Sequence, residues 1–207
     1  MKSKQVGIGN KSKSLKPSPT DIFIFEDNYF FVTESGFWKE FKISKKDDNF
    51  KIKNVYIDNP YFTIIPEEIF SNISDDQKNK LLTNNQSQLN FFKSLHTAHG
   101  SFLYWGIKKS LNQKIQSELP HSTPMHFCES LMFSSDEGNK LKFFRGEKII
   151  YISSFLKNKL ILINRYNIDS SDDSLYYLLS VIKESKFIGE EFSIDHQGLD
   201  DQKLISK

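Results

Sequence analysis

The stretch "KLKFFRGEKIIYISSFLKNKLILINRYN" (residues 140–167) limits the fold more than any other part of the chain. Three runs rich in β-branched and aromatic residues are separated only by the short breaks "RGE" and "KNK". Breaks this short leave neighbouring strands little choice but to reverse on themselves as hairpins. The segment therefore predicts a three-stranded antiparallel meander. The same texture occurs earlier in "DIFIFEDNYFFVTESGFWKEFKIS" (21–44), with breaks at "EDN" (26–28) and "ESG" (34–36).

Each meander leads into mixed strand and helix signals. After the first comes "FKIKNVYIDNPYFTIIP", which is strand-rich. Pro66 then opens a helix over "PEEIFSNI", because proline suits a first helical position and Glu67 and Glu68 suit the first turn. A short helix is expected at 75–82, followed by a polar loop. "SFLYWGI" (101–107) reads as a strand. "KKSLNQKIQSEL" (108–119) reads as a helix, with Leu111, Ile115 and Leu119 four apart and Pro120 past its end. "TPMHF" is a short strand and "CESLMFS" a short helix. After the second meander, "NIDSSDDSLYYLLSVIKES" (167–185) is a helix and "EFSIDH" (191–196) a final strand.

The serines and aspartates of 167–185 look catalytic but have a simpler use. Ser170 or Ser171 is the N-cap, and Asp172 and Asp173 lie in the first turn, where the helix dipole favours negative charge. Leu175, Leu178, Leu179 and Ile182 fall on one face at i, i+3, i+4 and i+7, the expected buried side. Tyr176 is expected on a half-buried flank and Tyr177 on the more exposed side. The two tyrosines are the candidate partner surface.

Two meanders, each leading into α/β units, predict a mixed α/β fold in two halves, an actin-like or ribonuclease-H-like arrangement. The expected divisions are a basic, disordered tail at 1–19, a first half at 20–135, a second and shorter half at 136–196, and a polar tail at 197–207. Residues 1–19 carry five of the lysines and no acid, so with a total of +2 the rest of the chain sums to −3. A mildly acidic body is a poor platform for phosphate backbones, and the tail has no arginine or interleaved aromatics, so no specific nucleic-acid role is expected. No apolar run approaches the ~20 residues of a membrane span. The single Cys128 permits no internal disulfide, which fits a cytoplasmic location.

Three segments carry a family resemblance: "PYFTIIPEEIF" (60–70), "LYWGIKKSLNQKIQSELPHSTPMHFCESLMF" (103–133) and "KLILINRYNIDSSDDSLYYLLSVIKE" (159–184). They resemble domain-of-unknown-function family 3822, bacterial proteins known mainly in Bacteroidetes. Phe62, Thr63 and Pro66 match one signature of that family, F-T-L-V-P-x-x-L-F. Leu162, Asn164, Tyr166, Asp173, Tyr176, Tyr177, Leu178 and Leu179 match most of the other, L-L-L-Y-N-x-F-x-Y followed by D-x-x-Y-Y-L-L. The resemblance implies an actin-like ATPase fold, similar to pilus-assembly proteins of the PilM kind, and implies no established activity.

An actin-like ATPase grips phosphate with two hairpin turns, each carrying Asp and then small residues, so that backbone N–H groups reach phosphate oxygens. The matching turns here are "FEDNYF" (25–30) and "FFRGEKI" (143–149), which make Asp27, Asn28, Arg145 and Gly146 the cleft candidates. The first turn has no glycine; the second has no aspartate. A non-catalytic interaction or scaffold protein with a degenerate nucleotide cleft is therefore expected, without cofactor. The alternative is a nucleotide-binding protein or weak ATPase using ATP with Mg²⁺. "GIGNKS" (7–12) fails as a P-loop in spacing and context. His96, His99, His121, His126 and Cys128 match no compact metal-site spacing, so no metal is expected. A Cys128–His126 nucleophilic pair lacks a visible orienting third group. The acid pairs Asp47–Asp48, Glu67–Glu68, Asp75–Asp76 and Glu190–Glu191 fall at turns or element starts. A protein partner is expected, with the last strand near 191–196 offering an open sheet edge.

Overall fold

Runs of branched and aromatic residues set most of the described strands. A computed structural model of the chain describes residues 21–25, 28–32, 38–41, 52–84, 86–94, 99–134 and 137–198. The basic tail, Glu26 and Asp27, the "ESG" turn, Asp47–Asp48, His96 and residues 199–207 lie outside the described residues. The chain divides into two units, one whose described residues fall within Lys16–Ser130 and one whose described residues fall within Leu131–Lys207.

In the first unit, β1 (Asp21–Phe25), β2 (Asn28–Val32) and β3 (Trp38–Phe41) form the expected meander. The strand-rich piece that follows supplies β4 (Asn54–Ile57) and β5 (Phe62–Pro66). Then come α1 (Glu67–Asn72), α2 (Asp75–Leu82), β6 (Leu89–Lys93), β7 (Ser101–Lys108), α3 (Lys109–Glu118) and β8 (Thr123–His126). Pro66 closes β5 and caps α1 rather than opening the helix, with its extended ψ of 140°. α2 begins in a capping box in which the Ser74 hydroxyl accepts from the Gln77 N–H and the Gln77 side chain accepts from the Ser74 N–H. Two expectations need correction. The polar stretch after 82 is not all loop, since it contains β6, whose Phe91 and Phe92 pack against β7. The short helix expected at "CESLMFS" is a 3-10 turn over Phe127–Leu131.

These strands make two sheets. The first has the order β3-β2-β1-β4-β8, with β4 and β8 parallel to β1. The second is antiparallel, β5-β7-β6. In the five-stranded sheet Phe23 stacks on Tyr56 at 5.0 Å, and Phe127 meets both Phe23 and Phe25 edge-on. α3 buries Ile115, and Leu119 just past its end is buried too, as their spacing predicts. It is tied to the sheet where the Tyr29 hydroxyl donates to Glu118 Oε2 at 2.6 Å.

In the second unit, β9 (Lys140–Arg145), β10 (Ile149–Leu156) and β11 (Lys159–Asn167) form the second meander, followed by α4 (Ser171–Glu184) and β12 (Ser193–Gly198). The β10–β11 turn is Lys157–Asn158, both with positive φ (48° and 68°), the twist that suits a two-residue hairpin. The sheet order is β11-β10-β9-β12, with β12 parallel to β9. One face carries Leu141, Phe143, Ile150 and Ile152 against Leu178 and Val181 of α4. The other carries Lys142, whose ammonium donates to the Phe133 carbonyl, and Ser153, which donates to Leu131 O at 3.0 Å.

The face of α4 differs from the one expected. Ser174, Leu178 and Val181 form its buried line, and Leu179 is 56% exposed. The residue that turns the helix is Ser174, whose hydroxyl is covered because it accepts from Arg145 Nε at 3.0 Å. The tyrosines also exchange the expected roles. Tyr177 is half-buried and stacked on Tyr166 at 4.1 Å, while Tyr176 is 66% exposed.

Candidate functional site

The β9–β10 turn is built for shape. Arg145 ends β9 and is held to α4 through Ser174. The Gly146 N–H donates to Ile149 O at 2.9 Å, and a Cβ on Gly146 would stand 2.9 Å from Ile149 Cγ1. Glycine is therefore needed there to let the turn close under Ile149. Of the other turn's candidates, Asp27 lies outside the described residues, and Asn28 is the exposed first residue of β2, paired with Phe25.

The acid-rich start of α4 is a cap. The Ser170 hydroxyl accepts from the Asp173 N–H at 3.1 Å, and the Asp173 carboxylate accepts from the N–H groups of Asp169 and Ser170, both at 2.9 Å. Those donors favour the charged form and lower the Asp173 pKa.

His126 is fully buried, with both ring nitrogens engaged. Nε2 lies 2.9 Å from the Asn59 carbonyl, and Nδ1 accepts the Cys128 N–H at 3.1 Å. The ring is thus a neutral imidazole that donates through Nε2. It packs against Phe62 and Trp105. Cys128 meets it through its backbone N–H. Asn59 extends the network by donating to the Gly106 carbonyl and accepting from the Tyr61 N–H at 2.7 Å. The network links the β4–β5 connection to β7 and to the end of β8. His99 and His121 are exposed, and among the described residues no group of three or more His, Cys, Asp or Glu side chains could hold a metal ion.

One cluster was not foreseen. Glu129, in the 3-10 turn after β8, is pushed up to about 7 by burial, against the opposing effect of a hydrogen bond from the His126 N–H. Tyr56 on β4 is pushed up to about 12, by burial first and then by the charges of Asp21 and Glu129. Asp21, which opens β1, is raised by burial despite the Asn54 amide that donates to it at 3.0 Å and the nearby Lys53. Neighbouring strands of one sheet bring these three acids together from positions more than a hundred residues apart, so no spacing could announce them. Chemically, Glu129 can take up or release a proton near neutral pH.

Among the described residues no helix is long and apolar enough to cross a membrane. A model of the family described as "Protein of unknown function (DUF3822)" matches residues 35–199. No curated protein sequence matches the chain. Among solved structures, the chain is similar to a Bacteroides thetaiotaomicron protein with actin-like ATPase fold and unknown function. The TM-score is 0.69 at 20% identity, covering 90% of this chain and 84% of that one. It is also similar to the cytoplasmic domain of EpsL, an inner membrane component of the type II secretion system of Vibrio cholerae. There the TM-score is 0.50 at 8% identity, covering 86% and 81% of the two chains. At such identities the likeness speaks for the fold alone, and that fold is actin-like.

Proposed function

Because the chain belongs to the DUF3822 family, whose function is unknown, and has an actin-like fold, we propose that it is a non-catalytic interaction or scaffold protein of that fold. Its nucleotide-binding turns are degenerate. The observation that carries this reading is the β9–β10 turn: Arg145 is engaged by Ser174, and Gly146 is packed beneath Ile149. A phosphate-gripping turn instead directs free N–H groups and an aspartate at the ligand. The Gly146 N–H is already committed to Ile149 O.

The test uses the purified full chain. With ATP and Mg²⁺ it should release no more phosphate than a heat-killed control, and millimolar ATP should leave its melting temperature unchanged, since a ligand that binds only the native state raises stability. Turnover above the control overturns the non-catalytic reading. A melting shift without turnover favours the alternative, a nucleotide-binding protein.

A further inference from the structure

We propose that α4 pairs with α4 of a second copy of this chain, antiparallel about a two-fold axis, through one exposed stripe that is complementary to itself. This goes beyond the interaction reading above and holds whether or not the chain turns over nucleotide.

The first argument is a surplus of apolar surface. The sheet takes Ser174, Leu178 and Val181 of α4 and leaves Tyr176 66% and Leu179 56% exposed. Leu175, four residues before Leu179, and Ile182, three after it, are only half-buried. A helix lying on a sheet ordinarily turns polar residues to its outer side. Here the apolar arc is wider than the face the sheet covers. Tyr176 is also braced from below: its ring meets Tyr177 edge-on at 5.4 Å, and Tyr177 is stacked on Tyr166. A side chain held in place before docking loses less entropy when it docks.

The second argument is the order of residues along that outer side. Asp169, Asp172, Tyr176, Leu179, Lys183 and Lys186 follow one another at intervals of three and four. All six are exposed. α4 spans Ser171–Glu184, so Asp169 and Lys186 lie just beyond its two ends. Alternating steps of three and four make the seam along which two helices pair. This seam reads acid, acid, apolar, apolar, base, base. Turned end for end, it is its own complement. In an antiparallel pair Asp169 meets Lys186 of the second copy, Asp172 meets Lys183, and Tyr176 meets Leu179. The two-fold axis repeats each contact, as a self-complementary patch requires.

The third argument excludes other occupants. A parallel pair would set acid against acid and base against base. A partner of one sign, such as a nucleic acid or an anionic membrane, complements one end of the stripe and is repelled by the other. Charge thus selects both the partner and the direction of pairing. The seam is one helix of 14 residues. It buries less than the roughly 1,600 Å² of a standard interface, so the expected dimer is a weak one that forms in the micromolar range.

The experiment is sedimentation equilibrium of the full chain, from low micromolar to several hundred micromolar. The wild type should pass from the monomer mass to twice that mass and stop there. Leu179→Asp should weaken association by roughly tenfold or more, with an unchanged melting temperature at low micromolar concentration. Asp172→Lys alone and Lys183→Asp alone should each weaken it several-fold, because like charges then meet across the axis. An equimolar mixture of these two variants should recover the wild-type association, since each supplies the charge the other lacks. The double variant Asp172→Lys, Lys183→Asp should recover it within one chain. Neither rescue can come from a change in folding. A monomer at every concentration would overturn the proposal. So would a dimer unmoved by Leu179→Asp, growth past the dimer mass, single reversals without effect, or a mixture that fails to recover.

Discussion

Gly198, the last residue of β12, lies against the backbone of Arg145, its ladder partner in β9. Its φ is +109°, and a Cβ there would stand 2.3 Å from the Arg145 carbonyl oxygen. Nothing but glycine fits both the conformation and the approach. Gly198→Ala should lower unfolding free energy in urea by about 2 kcal/mol or more. Gly100 also has positive φ, at +72°, but faces open space. Gly100→Ala should cost only about 1 kcal/mol. Equal losses at the two sites would show that the close approach to Arg145 carries no weight.

The tyrosine pair should separate stability from surface. Tyr177 stacks on Tyr166 and packs on the core beneath α4. Tyr177→Ala should cost on the order of 2–3 kcal/mol. Tyr176→Ala should change stability by no more than about 0.5 kcal/mol, as at other exposed positions. Thermal melts of the two variants check the order, and a reversed order would contradict the packing of α4.

Glu129 should make stability pH-dependent in a direction unusual for a carboxyl group. Its pKa rises from 4.5 to about 7 on folding, so the folded state binds the proton more tightly than the unfolded one. Its cost is then absent below pH 4.5, grows as pH climbs to about 7, and stays constant above. Glu129→Gln should relieve it, raising stability at pH 8 relative to wild type by up to about 3 kcal/mol while changing little at pH 4. Urea titrations at both pH values read this. A variant less stable than wild type at pH 8 would show that the carboxylate is held by interactions that outweigh its burial.

The cap of α4 should be separable from any chemistry. Ser170→Ala removes the acceptor for the Asp173 N–H and should cost about 1 kcal/mol. Asp173 has a lowered pKa, so its stabilising contribution is present above the unfolded value of 3.8 and fades as pH falls through the folded one. Stability of wild type and Ser170→Ala, followed from pH 6 down to pH 2, checks both statements. A cap substitution without effect would reopen the question of what these side chains do.

How much of this could be read beforehand depended on locality. Both meanders were legible because aromatic and branched runs alternate with breaks only a few residues long. The extent of α2 was legible because Ser74 and Leu82 bracket a short polar helix. The face of α4 was misjudged because counting apolar residues treats Ser174 as surface. Its hydroxyl is covered by Arg145, and with Val181 it moves the buried line away from Leu179. β6 stayed hidden because the polar run before Leu89 outweighed the two phenylalanines after it. The cluster of Asp21, Tyr56 and Glu129 had no local signal at all, since it exists only once β1, β4 and β8 lie side by side.

The pairing of Ser193 with Lys140 joins positions 53 apart in the chain. The hairpins β9–β10 and β10–β11 close over a few residues each, whereas β12 must wait for α4 to bring it home. Because closing a long loop is slow relative to zipping a hairpin, β12 should be the last strand to anneal and the first to fray. The time this margin spends detached then sets how often the edge of β9 beneath it is bared.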